Sequence, residues 1–258
     1  MNTIQLDVRT KHINNEILHF DEIDSTNQYL LDHELPHGTV ALADYQSAGR
    51  GRLARKWQAS KSDALLFSLS LSQHLQQIHP AGFSFLASIA VYEGLRSIYY
   101  QLPLALKWPN DVIVNGHKIC GILVESRSAG SEMTKVVLGI GVNINQGTEF
   151  FQQDGLHHGT SLKLETGQEG DRFYILKSIL ESMEQNIEFA INRDIDEIVE
   201  KWKNYCPYIG KHIKLLERGK EHPGIFEDLD HEGGIILNHN GERKTYYAAD
   251  VSIDKDYM

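Results

Sequence analysis

Apolar and polar positions alternate along this chain with two different rhythms. Asp24-Ser25-Thr26 precedes Tyr29, Leu30 and Leu31, so the spacing predicts an N-capped helix over about 25–34. Gly38 opens a run of small and apolar residues, Thr39 to Ala43, that reads as a strand ending near Gln46. Leu65, Phe67, Leu69 and Leu71 fall on one face of a strand over 64–71, predicted to be half-buried. Phe85, Leu86, Ile89, Leu95 and Ile98 keep helical spacing and place a largely apolar central helix over 81–100. Asn115-Gly116, between two apolar runs that start at Asp111 and end at Cys120, predicts a hairpin. Another apolar strand covers 135–145.

From Gly170 to Tyr205 the period is helical, with Phe173, Leu176, Leu180, Met183, Ile187 and Ile191 in step, until Pro207 and Gly210 break it. Short strands then follow at 213–216, 224–229, 235–237 and 245–247, with Gly219, Gly233, Gly234 and Gly241 between them. That pattern predicts a small β-barrel. The expected class is α+β: a mixed, mostly antiparallel sheet packed with helices over 1–205, then a compact β-barrel over 206–258.

Composition narrows the setting. No run of about 18 apolar residues exists to span a membrane. Residues 1–20 alternate without a signal-peptide core. Cys120 and Cys206 cannot build a disulfide framework, which points to a reducing cytoplasm. A net charge of −10 disfavours general nucleic-acid binding. Thirteen histidines lack ligand spacing, and no HExxH or CxxC occurs, so a bound zinc is not expected.

The richest chemistry lies in Ser47-Ala-Gly49-Arg50-Gly51-Arg52-Leu-Ala-Arg55-Lys56-Trp57. Glycines let backbone N–H groups turn toward an anion. Arg50, Arg52 and Arg55 supply planar forks for carboxylate or phosphate, and Trp57 a flat face for a purine. Neither a dinucleotide-binding βαβ unit nor a Gly-Lys-Ser/Thr phosphate loop accompanies them. A solvated basic loop, or a patch for an acidic partner, stays open on the charges alone. Lys107-Trp108-Pro109-Asn110-Asp111 leads into the hairpin, whose register puts Asp111 and Lys118 on paired strands. Lys118 also reads as an ordinary hairpin lysine, Asp111 as a turn or cap acid, and Asn143 as a satisfied structural amide.

Taken in order, Ser25-Thr26-Asn27, Gln46, Gly49-Arg50-Gly51-Arg52 with Arg55 and Trp57, Lys107 to Asp111, Lys118-x-x-Gly-Ile-Leu-Val-Glu125 and Gly141-Val-Asn143 resemble the biotin protein ligase family over about residues 20–165. The resemblance implies a class II synthetase-like catalytic domain with an SH3-like terminal barrel. It also implies a two-step reaction. Biotin and Mg-ATP give biotinyl-5′-adenylate, and biotin then passes to a lysine of a biotin carboxyl-carrier protein or domain. On that reading Ser25, Thr26, Asn27, Gln46, Arg50, Gly51, Arg52 and Lys118 bind biotin. Gly49, Arg50, Arg52, Arg55, Trp57, Lys118 and Asn143 bind ATP or the adenylate, with Trp57 and Asn143 on the adenine. Arg50, Arg52, Asp111 and Lys118 carry the catalysis, and Asp111 orients Mg²⁺ or the incoming amine. The loop over 47–63 is expected to order when ligand binds.

About twenty residues precede the first matched motif, too few for the DNA-binding domain some members carry, so a ligase without DNA-binding duty is expected. Lipoate ligases share fold and chemistry, but the Gly-Arg-Gly-Arg loop, Lys107 to Asp111 and the terminal barrel favour biotin. A regulator that binds biotin without catalysis has no need of the arginines, Lys118 and Asp111 together. The carrier is expected at an exposed sheet edge, an edge that also suits a homodimer.

Overall fold

The computed structural model describes residues 1–73, 78–130, 132–191, 193–247 and 249–253. An eight-stranded sheet is built from β1 (Asn2–Gln5), β2 (Glu16–Phe20), β3 (Val40–Ala43), β4 (Ala64–Leu71), β5 (Leu104–Lys107), β6 (Asp111–Val114), β7 (His117–Ala129) and β8 (Glu132–Asn143). Its spatial order is β1-β2-β3-β4-β8-β7-β6-β5, antiparallel throughout except for the parallel pair β2–β3. The turn between β6 and β7 uses Asn115 and Gly116 at φ 50° and 80°. Both angles lie in the left-handed region that a two-residue hairpin of this twist requires, hence Asn-Gly.

The two faces of the sheet are covered differently. One carries α2 (Gly82–Ile98), α5 (Arg172–Ile191) and α6 (Ile195–Lys203), whose apolar sides meet Phe67, Leu69, Leu138 and Ile140 in one continuous core. Against the other lies α1 (Thr26–Asp32), where Leu30 and Leu31 pack on Ala41, Ala43 and Val137. Short side chains on β3 let a helix sit close there. Every residue of β4 is therefore buried, not the alternate ones that its leucine rhythm suggested. A strand covered on both faces loses the polar half of its pattern.

The helical stretch expected over 170–205 is two helices, α5 and α6, the second capped at Asp194 in an extended conformation. Asn192, between them, lies outside the described residues. Phe173, in step with the apolar stripe, is 38% exposed at the start of α5. Short helices α3 (Thr148–Phe151) and α4 (Leu162–Thr166) occupy the segment before α5.

After α6 the chain forms a five-stranded antiparallel sheet of β9 (His212–Glu217), β10 (Lys220–Leu229), β11 (Ile235–His239), β12 (Glu242–Tyr246) and β13 (Asp250–Ile253), in the order β12-β11-β10-β9-β13. Its inner residues Ile213, Leu215 and Phe226 continue the main core. Trp108 donates its indole N–H to the carbonyl of Gly233 at 2.9 Å, and Lys203 pairs with Asp228 at 2.7 Å. A division at 205/206 assigns all five strands to the second unit; residues 254–258 of that unit lie outside the described residues. Among the described residues no helix is long and apolar enough to cross a membrane.

Candidate active site

Glycines on the α1 face of the sheet make the floor of the site. Gly121 of β7 pairs with Gly141 of β8, and Gly141 with Leu66 of β4; one row away, Gly139 faces Leu123 and Ser68. Directly opposite residues share a face, so three positions without side chains lie side by side. What rests on them explains their identity. A Cβ on Gly141 would lie 2.5 Å from the Trp57 ring, and one on Gly121 2.7 Å from it. A Cβ on Gly139 would lie 2.2 Å from Asn27 Oδ1. The indole N–H of Trp57 is buried and finds no acceptor among the described residues.

At one end of this floor the start of α1 presents a polar cluster. Ser25 caps the helix, its hydroxyl accepting from Gln28 N at 3.4 Å. Gln46 Oε1 accepts from Thr26 N at 2.7 Å and from the Thr26 hydroxyl at 3.1 Å. Ser68 Oγ lies 2.7 Å from Thr26 Oγ1 and donates to Asn27 Oδ1 at 2.5 Å. Asn27 Nδ2 donates to Glu125 Oε2 at 2.8 Å, and the same oxygen accepts from Arg50 at 2.8 Å. Glu125 thus ties α1 to the arginine-bearing loop.

That loop is a tight excursion. Trp57 N donates to the carbonyl of Gly49 at 3.0 Å and Gly51 N to that of Arg55 at 2.8 Å. A Cβ on Gly49 would lie 2.6 Å from the Trp57 carbonyl, so only glycine closes the base this tightly. Between them Arg52–Ala54 form a 3₁₀ turn with Leu53 at φ 54°. Arg52 points inward and donates to Asn110 Oδ1 at 3.3 Å. Burial lowers its pKa, with Asp250 and Asp111 acting against that shift. Arg55 leaves the floor to pair with Asp250 of β13, bringing the C-terminal sheet to the site.

The opposite end holds Asp111 and Lys118. The register sets Asp111 across from Gly121 and, after a bulge, Lys118 across from Ile113. Lys118 Nζ lies 2.5 Å from Asp111 Oδ1 and 5.7 Å from the centre of the Trp57 ring. Its backbone is fixed by the segment beyond β8: Lys118 N donates to His158 O at 2.8 Å, and Thr160 N to Lys118 O at 2.9 Å. Asn143 is buried next to this strand, accepting from Gln146 Nε2 at 2.9 Å and donating to Lys118 O at 3.5 Å.

The structure therefore gathers Thr26, Asn27, Gln46, Arg50, Arg52, Trp57, Asp111 and Lys118 along one glycine-floored face. Ser25, Gly49 and Gly51 shape the backbone around them, Asn143 stands behind Lys118, and Arg55 faces the small sheet. Sequence reasoning passed over Ser68 and Asp250, and gave no role to Glu125 or the paired glycines although the matched motifs contain Glu125, Gly121 and Gly141. Glycine at alternate positions of an apolar strand, 139 and 141, was the signal available for the paired glycines.

Residues 19–143 match the model of the biotin/lipoate A/B protein ligase family, and residues 208–254 that of the biotin protein ligase C-terminal domain. The chain is 31% identical to a biotin–[acetyl-CoA-carboxylase] ligase of Paracoccus denitrificans, over 88% of this chain and 96% of that one. It is 32% identical to the bifunctional ligase/repressor BirA of Salmonella typhimurium, over 90% of this chain and 72% of the relative. Among solved structures it is similar to the biotin protein ligase from Aquifex aeolicus in complex with biotin and ATP. That match has a TM-score of 0.79 and 28% identity, and covers 92% and 97% of the two chains.

Proposed function

The chain belongs to the biotin/lipoate A/B protein ligase family and is an ATP-dependent biotin protein ligase, and from that premise we propose which side chains carry each half of the reaction. The observation that carries the assignment is the pair of charge links over one glycine floor, Asn27–Glu125–Arg50 at one end and Asp111–Lys118 beside Trp57 at the other.

Biotin's ureido ring is polar and the rest of its body apolar, so a few fixed hydrogen-bonding groups beside a bare backbone floor suit it. Ser25, Thr26, Asn27 and Gln46 take the ring, and the valeryl tail runs toward the loop. There a carboxylate oxygen of biotin attacks the α-phosphorus of ATP, and the bond from that phosphorus to the bridging oxygen breaks, releasing pyrophosphate. Arg50, Arg52 and Lys118 hold the carboxylate and the charge that builds on the phosphoryl oxygens, with the backbone of Gly49 and Gly51 opening the loop toward them. Trp57 and Asn143 hold the adenylate's base and Arg55 adds a phosphate contact.

In the second half the neutral amine of an acceptor lysine attacks the acyl carbon and AMP leaves. Asp111, paired to Lys118 at the end of the floor, positions that amine and accepts its proton. The acceptor is a biotin carboxyl-carrier domain, met at an exposed sheet edge; a cytoplasmic setting and a homodimer through an edge strand belong to the same reading. Mg²⁺ is a separate matter. Asp111 lies against Lys118 and Asp250 against Arg55, which is a poor donor set for a hard cation that wants free carboxylates. No step here is routed through a protein-held ion; magnesium comes as part of the nucleotide substrate.

ATP–pyrophosphate exchange with and without biotin, with lipoate as control, tests the site. Biotin-stimulated exchange supports it; exchange with lipoate alone moves the substrate to the sister ligases, and exchange with neither removes the chemistry. The loop over 47–63 has to admit substrate and then shield a water-labile adenylate. Protease nicking in it should accordingly fall sharply with biotin plus ATP, as read by limited proteolysis and mass spectrometry. Unchanged cleavage would sink the closure.

A further inference from the structure

Lys107 is a cation that these roles leave unused. It ends β5 directly opposite Asp111, which is opposite Gly121, which is opposite Gly141 and in turn Leu66. Opposed residues point to the same side, so Lys107 is the outermost member of the row that forms the floor. Among the described residues its amine makes no hydrogen bond or ion pair, although it is largely enclosed. Burial lowers its pKa, Asp111 raises it, and the neighbouring Lys118 lowers it again.

Among the described residues, charge around this end of the row is unbalanced. Arg52, Arg55, Lys107 and Lys118 stand against two carboxylates, Asp111 and Asp250, both of which act on Arg52 and Lys107. A cluster of cations with fewer anions beside it, lying between the main sheet and β13, suits a multiply charged anion.

Direction along the sheet says which anion. Four strand steps separate β4 from β5, about 19 Å at the usual spacing. On the site assignment above, biotin's ring lies at the β4–β8 end, next to Ser68 and Asn27, with its carboxylate toward Lys118 on β7. A group leaving in line from the α-phosphorus departs toward β6 and β5. We propose that Lys107 holds the β- and γ-phosphates of ATP and then the pyrophosphate that leaves as the adenylate forms. The inference rests on the ligase site described above and adds a residue to it. The electron pair of the broken P–O bond goes to pyrophosphate, and Lys107 supplies a positive partner for that growing charge without giving up a proton.

Two substitutions test it: Lys107→Met, which keeps the stem and removes the charge, and Lys107→Arg, which keeps the charge. With Lys107→Met the KM for ATP and for pyrophosphate in exchange should rise about tenfold or more, the loss of one charge-assisted contact. Biotin affinity by calorimetry should not change, nor should single-turnover transfer from preformed biotinyl-adenylate to a carrier domain. Lys107→Arg should recover part of the loss. Wild-type KM values in Lys107→Met, or an equal loss in transfer from preformed adenylate, would overturn the proposal. On the unaltered protein, pyrophosphate but not biotin should protect the Lys107 amine from an acylating reagent, and lack of protection would overturn it as well. Failure of the unaltered enzyme to exchange at all would instead sink the site assignment on which this rests.

Discussion

Lys118→Ala is expected to lower biotin-dependent ATP–pyrophosphate exchange by about a hundredfold to a thousandfold, the usual cost of removing one preorganised charge partner of a transition state. Lys118 is more firmly placed than a hairpin lysine on the surface. Both its backbone groups are bonded to the segment at 158–160, and its amine is held by Asp111 at 2.5 Å over the Trp57 face. An amine fixed before substrate arrives need not be reorganised when charge develops on the phosphoryl oxygens. Removing it also leaves Asp111, whose side chain is only 17% exposed, without its partner, so some stability will go too. Lys118→Met keeps the stem and separates the effects. If its melting temperature stays near the wild-type value while exchange falls, the loss is chemical. Exchange within tenfold of wild type in both variants would take Lys118 out of the chemistry.

Local signals in the sequence were accurate where neighbours in the chain settle the conformation. Asn115-Gly116 marked its turn, Asp24-Ser25-Thr26 a capped helix whose cap is Ser25, and Ala64–Leu71 its strand to the residue. The order of motifs sufficed to resemble the right family. What stayed hidden depends on partners far apart in the chain. Asn27 and Arg50 reach Glu125 across 98 and 75 residues, and Arg55 reaches Asp250 across 195. No spacing rule encodes such pairs, because they exist only once the register of β7 and β8 is set and β13 has been brought against the loop at Arg55. Burial of β4 on both faces was unreadable for the same reason: α1 covers it from outside its own segment. The break between α5 and α6 falls just before Asp194, and the apolar period runs on through it, so the spacing read as one stretch.

The glycine floor yields the sharpest structural test. Gly139→Ala adds a single methyl group, which would sit 2.2 Å from Asn27 Oδ1 and 2.7 Å from both Cγ and Nδ2. Asn27 has little room to give. Ser68 donates to its oxygen at 2.5 Å, and its nitrogen donates to Glu125 at 2.8 Å and to the Leu123 carbonyl at 3.3 Å. A side chain held on three sides moves only by breaking bonds, and breaking the Glu125 bond also frees Arg50. The backbone itself has no objection, since replacing glycine by alanine in a strand reduces unfolded-state entropy and is mildly stabilising where φ permits. Biotin affinity should therefore fall about a hundredfold or more, near 2.7 kcal/mol, and the melting temperature should fall as well, because the broken bonds of buried Asn27 outweigh the entropic gain. Calorimetric titration with biotin reads the first and a thermal melt the second. A double-mutant cycle identifies the cause: in an Asn27→Ala background the added methyl meets no amide, and Gly139→Ala should then cost almost nothing further. Wild-type affinity in the single variant would mean that Asn27 does not face biotin, and an undiminished effect in the double variant would mean that the methyl acts on the ligand itself and not through the amide.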